Sequence, residues 1–248
     1  MDAAPVASRT SEIPRIVTPL AIAAAILVSF RAGSSSGPVE LAPGDAPPPS
    51  VAEARAAIAT ALAPGGPGYD RGSTRAAVTV LEFADFGCPY CAQFAAATYP
   101  RLAREFVATG LVRWKYVPFV MGIFSNGDQA ARAGDCAGQQ GRTAFSRMHD
   151  QLYGLQDEWK GAGDAQVAFR SLAAPAGLDL KRYDACWASD EPDARIRASS
   201  ALADRLGVHA TPTFFVNEQR VEGALPLPEF RALLLEALGR SRGDARLR

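Results

Sequence analysis

Residues 78–91 read VTVLEFADFGCPYC. The β-branched and aromatic run of Val78, Val80, Leu81 and Phe83 predicts a buried strand. Gly87 breaks it, and Cys88-Pro89-Tyr90-Cys91 falls where a helix should begin. Pro89 suits a first helical turn, where its missing N–H costs nothing. Cysteines three apart share one helix face, so their sulfurs can bond to each other. Cys88 would sit at the positive end of the helix dipole beside unpaired N–H groups, which favour thiolate over thiol. A thiolate with a second thiol in reach is the minimum chemistry for disulfide exchange.

The competing reading of a C-x-x-C pair is half a zinc site or a structural bridge. Zinc takes four N or S ligands, usually with a second close pair. Cys136 and Cys186 stand alone, and His149 and His209 are far apart in sequence. The ligand count therefore favours redox chemistry and no metal.

Over the 248 residues, 26 basic side chains balance 26 acidic ones, so no net charge steers the chain toward nucleic acid. Four cysteines form an even set, consistent with two disulfides in an oxidising compartment. Ile16–Phe30 (IVTPLAIAAAILVSF) carries no charge and follows Arg9 and Arg15. Its length suits a signal-peptide core better than a spanning helix, yet no clear A-x-A cleavage site follows it. Residues 1–31 are thus expected to be an uncleaved membrane anchor or a cleaved signal. Either one exports the remainder to the periplasm or its extracytoplasmic equivalent.

Residues 32–68 read as a flexible Pro/Gly/Ser-rich linker, in which Val51–Leu62 forms a short helix before Pro64-Gly65-Gly66-Pro67. The folded domain is expected over 69–240, opening near Tyr69, with a helical insertion over about 122–192 and a basic tail at 241–248. Strands are expected at Ala77–Phe83 and Leu111–Pro118, with a hairpin of Thr213–Asn217 and Arg220–Glu222. Helices are expected at Cys91–Thr109, Asn126–Gly141, Thr143–Leu155, Ala165–Ala174, Leu180–Ala188, Asp193–Leu206 and Pro228–Leu238. The order implies an α/β fold, a mixed sheet flanked by helices with a helical subdomain inserted.

These residues resemble the DsbA-like thiol-disulfide oxidoreductases of the thioredoxin superfamily. VTVLEFADFGCPYC, the helical insertion, GVHATPTFFVN at Gly207–Asn217 and the closing helix carry the match. The resemblance implies a thioredoxin fold in which Pro212 is cis and packs against the Cys88–Cys91 pair. The backbone of Thr211 would then lie open beside the sulfur, so that a substrate segment pairs with it as an extra strand.

Glu82 matches a family acid that carries a proton to or from the buried second cysteine. Alternation supports this, placing Glu82 on one face with Val80 and Val78. Burial there would raise its pKa. Tyr90 would tune the thiolate and the docking surface, and Asp85 reads as a loop or cap residue. The sequence departs from the family pattern at His209-Ala210. Relatives with a second disulfide imply that Cys136 pairs with Cys186, bracing the insertion.

The resemblance implies an enzyme that needs no metal, nucleotide or flavin, its redox centre being the cysteine pair. Partners would be cysteine-containing exported proteins and a separate redox recycling partner, expected to be membrane-bound. An oxidase is the first expectation. A reductase or isomerase of the same fold, or a non-enzymatic client-binding holdase, is the alternative.

Overall fold

The computed structural model describes residues 48–246. The expected anchor or signal at 1–31, and the linker up to residue 47, lie outside them. The central strand β2 (Val78–Ala84) is buried at every position except Thr79, which is half-buried. Such continuous burial explains why its sequence is apolar almost throughout rather than alternating. It pairs in parallel with β3 (Val112–Pro118), from Val78 opposite Val112 to Ala84 opposite Pro118. On its other edge it meets β4 (Thr213–Val216) antiparallel, with Glu82 opposite Phe214. β1 (Tyr69–Asp70) and β5 (Gln219–Glu222) complete a five-stranded mixed sheet in the order β1-β3-β2-β4-β5.

A parallel pair needs a long crossover. Here α2 (Pro89–Ala97), α3 (Tyr99–Leu102) and a π-helical turn at Ala103–Val107 supply it. The sequence reading has one helix over Cys91–Thr109. Pro100, which cannot donate to the preceding turn, accounts for the break after Thr98. Five helices follow β3 as the insertion: α4 (Gly127–Gly138), α5 (Arg142–Gly154), α6 (Gln156–Lys160), α7 (Ala165–Ala173) and α8 (Leu180–Trp187). α9 (Glu191–Arg205) returns the chain to the sheet, and α10 (Leu227–Arg246) closes it. The architecture is the expected α/β fold with a helical insertion.

The two faces of β2 carry different cores. Val78 and Val80 pack with Phe94, Trp114, Phe214 and Phe230. Leu81 and Phe83 pack with Val117, Phe215, Leu202 and Leu206. α1 (Val51–Leu62) joins this second core through Ala57, Ile58 and Ala61. It is begun by a capping box, in which Ser50 Oγ accepts from the Glu53 N–H and Glu53 accepts from the Ser50 N–H. Burying Ile58 alone contributes about 2 kcal/mol. The expectation of a flexible linker up to residue 68 is therefore corrected for α1, whose packed face joins it to the domain. The closing helix, expected over Pro228–Leu238, runs on to Arg246 and so through most of the basic tail.

The insertion has its own core, in which Met148, Leu152, Trp159, Phe169 and Tyr183 surround the Cys136–Cys186 disulfide. Phe86, Cys88 and Cys91 belong to the same cluster, so the insertion packs directly behind the cysteine pair.

Candidate active site

β2 ends at Ala84, and the loop Asp85–Gly87 turns the chain into α2. Asp85 is a loop residue, as expected, but a buried one. Its carboxylate accepts from the Gly87 N–H at 2.8 Å and from the Met121 N–H at 2.7 Å, tying the loop to the segment after β3. Gly87 has no side chain because a Cβ there would run into Phe124. Cys88 is the N-cap of α2, with φ −75° and ψ 124°, and Pro89 occupies the first turn. Tyr90 is 64% exposed beside it, whereas Cys88 is 3% exposed and Cys91 is wholly buried.

The Thr211–Pro212 peptide bond is cis. The Thr211 carbonyl oxygen lies 3.4 Å from Cys88 Sγ and accepts from its thiol, across 123 residues of sequence. Both cysteines are free thiols in this structure. Cys136 and Cys186 are bonded to each other. With Asp135 they form the one cluster of His, Cys and acidic side chains among the described residues close enough to ligate a metal. Its sulfurs are engaged in that bond, and Asp135 is paired with Arg195 at 2.7 Å.

The electrostatics separate the two thiols. Cys88 is brought down to about 6, chiefly by the hydrogen bond from Cys91, then by one from the Thr211 side chain and by the backbone N–H groups of Cys91 and Tyr90. The Thr211 carbonyl can only accept from the neutral thiol, so the depression comes from the donors around the sulfur. Cys91 is pushed well above the ordinary thiol range by burial, and further by its bond to Cys88 and the charge of Glu82.

Glu82 points inward, as alternation requires, and is 2% exposed. Burial raises its carboxyl to about 7, against the opposing effects of a hydrogen bond from Trp114 and the charge of Arg71. A carboxyl that titrates near neutrality beside a buried thiol has the pKa a proton carrier needs.

Several residues of the site were not found by sequence reasoning. Gln156 of α6 donates through Nε2 to the carbonyl oxygens of Phe86 and Cys88, clamping the loop from the insertion side. Tyr116 donates to the Ala84 carbonyl at 3.2 Å and shares a 2.9 Å hydrogen bond with Tyr153. Arg71 lies over the Tyr99 ring at 4.2 Å and bonds His149, which is itself buried. Only their aromatic or charged character was visible in the sequence, and that does not identify a tertiary partner. His209, in contrast, is exposed and lines a surface cleft with Pro49, Thr60 and Glu222, making no hydrogen bond to a cysteine.

The sequence profile of the thioredoxin family matches residues 66–236. The chain belongs to that family. Its sheet and helical insertion share the fold of DsbA proteins of known structure. Alpha-DsbA1 of Wolbachia pipientis superposes with a TM-score of 0.64 at 19% identity, covering 72% of this chain and 94% of that one. Oxidised BdbD from Bacillus subtilis gives 0.62 at 20% identity, covering 77% and 96%. At these identities the likeness is one of fold.

Among curated proteins, a probable disulfide bond formation protein D of Bacillus anthracis is 28% identical over 166 residues, 65% of this chain and 73% of that protein. A Salinispora tropica protein named Na(+)/H(+) antiporter NhaA 3 is 35% identical over 172 residues, 69% of this chain. The chain spans only 25% of that antiporter's length. Among the described residues, no helix is long and apolar enough to cross a membrane.

Proposed function

We propose that the chain is an exported thiol-disulfide oxidoreductase that introduces disulfides into cysteine-containing protein substrates. The observation that carries this reading is the contrast between the two thiols, Cys88 held near 6 and Cys91 pushed far up. A low Cys88 pKa stabilises the reduced enzyme, and a stabilised reduced form makes the disulfide an oxidant.

In the oxidised enzyme a substrate thiolate attacks Cys88 Sγ, forming a mixed disulfide and breaking the Cys88–Cys91 bond. Cys91 leaves with the electron pair and takes a proton from Glu82. A second substrate thiolate then attacks the substrate's own sulfur, forming the new disulfide and releasing Cys88 as a thiolate. Two electrons have passed to the enzyme, and a separate disulfide-bearing or quinone-linked partner must remove them. The Thr211 backbone beside Cys88 offers an edge against which an extended substrate can pair, a mode that reads backbone rather than side chains. The Cys136–Cys186 bond and the apolar Ile16–Phe30 segment support export, because disulfides persist in oxidising compartments.

The deciding experiment equilibrates the chain with glutathione buffers and reads the reduction potential of the Cys88–Cys91 pair. A value near about −120 mV is expected of a disulfide donor. A value near about −270 mV makes the protein a reductant and overturns the assignment. Unaltered activity in cells after Cys88→Ser would favour a client-binding holdase instead.

A further inference from the structure

Apart from the cysteine pair, the molecule carries a basic cleft of about 800 Å³ between the start of the domain, the π-helical turn and α5. Four arginines line it, namely Arg71, Arg75, Arg104 and Arg142, and no acidic side chain does. The aliphatic hydroxyl residues Ser73, Thr74 and Ser146 share the lining with Tyr99. Among the described residues Arg75, Arg104 and Arg142 are exposed and make no ion pair, although elsewhere on this surface arginines pair with carboxylates, as Arg231 does with Glu105.

Arg71 differs from the other three. Its side chain is 7% exposed, and its carboxylate neighbour Asp150, itself 70% exposed, reaches it only at 3.5 Å. Tyr99 and His149 fix the guanidinium in place, but both are neutral, His149 because burial pushes its pKa down to about 3. Glu82, whose field also meets Arg71, is only partly ionised at neutral pH. A buried cation whose one carboxylate partner is largely exposed to solvent gains from further negative charge beside it. Four like charges around one cleft add to that gain.

We infer that this cleft binds a small oligophosphate anion, with Arg71 at its floor and Arg75, Arg104 and Arg142 around its rim. Guanidinium forks match phosphate oxygens bidentately, and the hydroxyls of Ser73, Thr74 and Ser146 add neutral donors. A single carboxylate would offer too few oxygens and too little charge for four arginines. The cleft is also roomier than one phosphate needs, which favours a chain of two or three phosphoryl groups. The site is independent of the redox reading, and its test does not depend on that reading.

The test is calorimetric titration of the full chain with inorganic phosphate, pyrophosphate and tripolyphosphate at fixed ionic strength. Saturable binding of one tripolyphosphate per chain is expected, with affinity rising along the series. The double variant R104E/R142E changes only exposed side chains and should weaken tripolyphosphate binding by about tenfold or more. R182E/R197E makes the same change of net charge outside the cleft and should alter affinity by less than about twofold. Should R104E/R142E fail to fold, as read by circular dichroism, R104Q/R142Q against R182Q/R197Q makes the comparison with matched charge. Absence of saturable binding, or equal losses in both double variants, would overturn the inference.

Discussion

Oε2 of Glu82 accepts a 2.7 Å hydrogen bond from Nε1 of Trp114, and both side chains are buried on the same face of the sheet. The register explains the meeting. Trp114 lies opposite Val80 on the neighbouring parallel strand, one same-face position along from Glu82. The indole N–H favours the carboxylate, yet burial outweighs it and leaves the group titrating at about 7. Trp114 thus keeps a buried acid from being locked in its neutral form.

Glu82→Gln keeps the acceptor for Trp114 and removes the proton carrier. The step in which Cys91 gains or loses its proton should slow by about a hundredfold, the lower range for general acid–base assistance. It should also lose the inflection near 7 that Glu82 gives the native protein. Stopped-flow reduction of the disulfide across pH reads both effects, and an unchanged profile would remove Glu82 from the mechanism.

The same substitution changes stability in a definite direction. A carboxyl raised from 4.5 to about 7 holds its proton in the folded state, so its stabilising effect is complete below 4.5 and is lost as pH rises through 7. Glu82→Gln removes that loss. Relative to the native protein it should gain on the order of 3 kcal/mol between about pH 4 and pH 8, read by urea denaturation at both ends.

Ultraviolet titration of the reduced protein should show the Cys88 thiolate forming at about 6. Cys91→Ala deletes the largest of the interactions that lower it, so the midpoint should move up toward the ordinary thiol range. With the folded value depressed, the stabilisation that Cys88 gives the reduced protein is full above about 9 and disappears as pH falls through 6. A midpoint unmoved in Cys91→Ala would assign the depression to Thr211 and the backbone N–H groups of the helix N-terminus.

Much of this site is legible in residues 78–91, and the reason is local. β2 is buried on both faces and so reads as an apolar run, while Pro89 and Gly87 fix where the helix starts. Period-two alternation puts Glu82 on the face of Val78 and Val80, and the core packed on that face buries it. The approach of Thr211 to Cys88 spans 123 residues, and only the family resemblance anticipated it. Gln156, Tyr153 and Arg71 reach the site or its surroundings through tertiary packing, which no short pattern encodes. The attachment of α1 was missed because two of its three buried residues are alanines, giving little periodic signal.

Cys136→Ala with Cys186→Ala should destabilise the protein by roughly 4 kcal/mol, the loop-entropy value for a bridge across 50 residues. The loss should appear in chemical denaturation. The Cys88 titration midpoint should hold if the bridge braces the insertion without tuning the thiolate. A shifted midpoint would mean that α6 and its Gln156 clamp depend on this bond.

His149 sits against the rings of Phe86, Tyr116 and Tyr153, and its Nδ1–H donates to Asp150 at 3.0 Å while Nε2 accepts from Arg71 at 3.0 Å. That arrangement requires the neutral ring, and burial with the nearby Arg71 charge pushes its pKa down to about 3. With the folded value below the unfolded one, the stabilisation is present above 6.5 and is lost as pH falls toward 3. One proton more is then bound by the unfolded chain than by the folded one. His149→Gln should therefore flatten the stability–pH slope in this window by about 1.4 kcal/mol per pH unit. Urea denaturation at closely spaced acidic pH values measures that slope, and equal slopes in the two proteins would show that His149 is already charged in the fold.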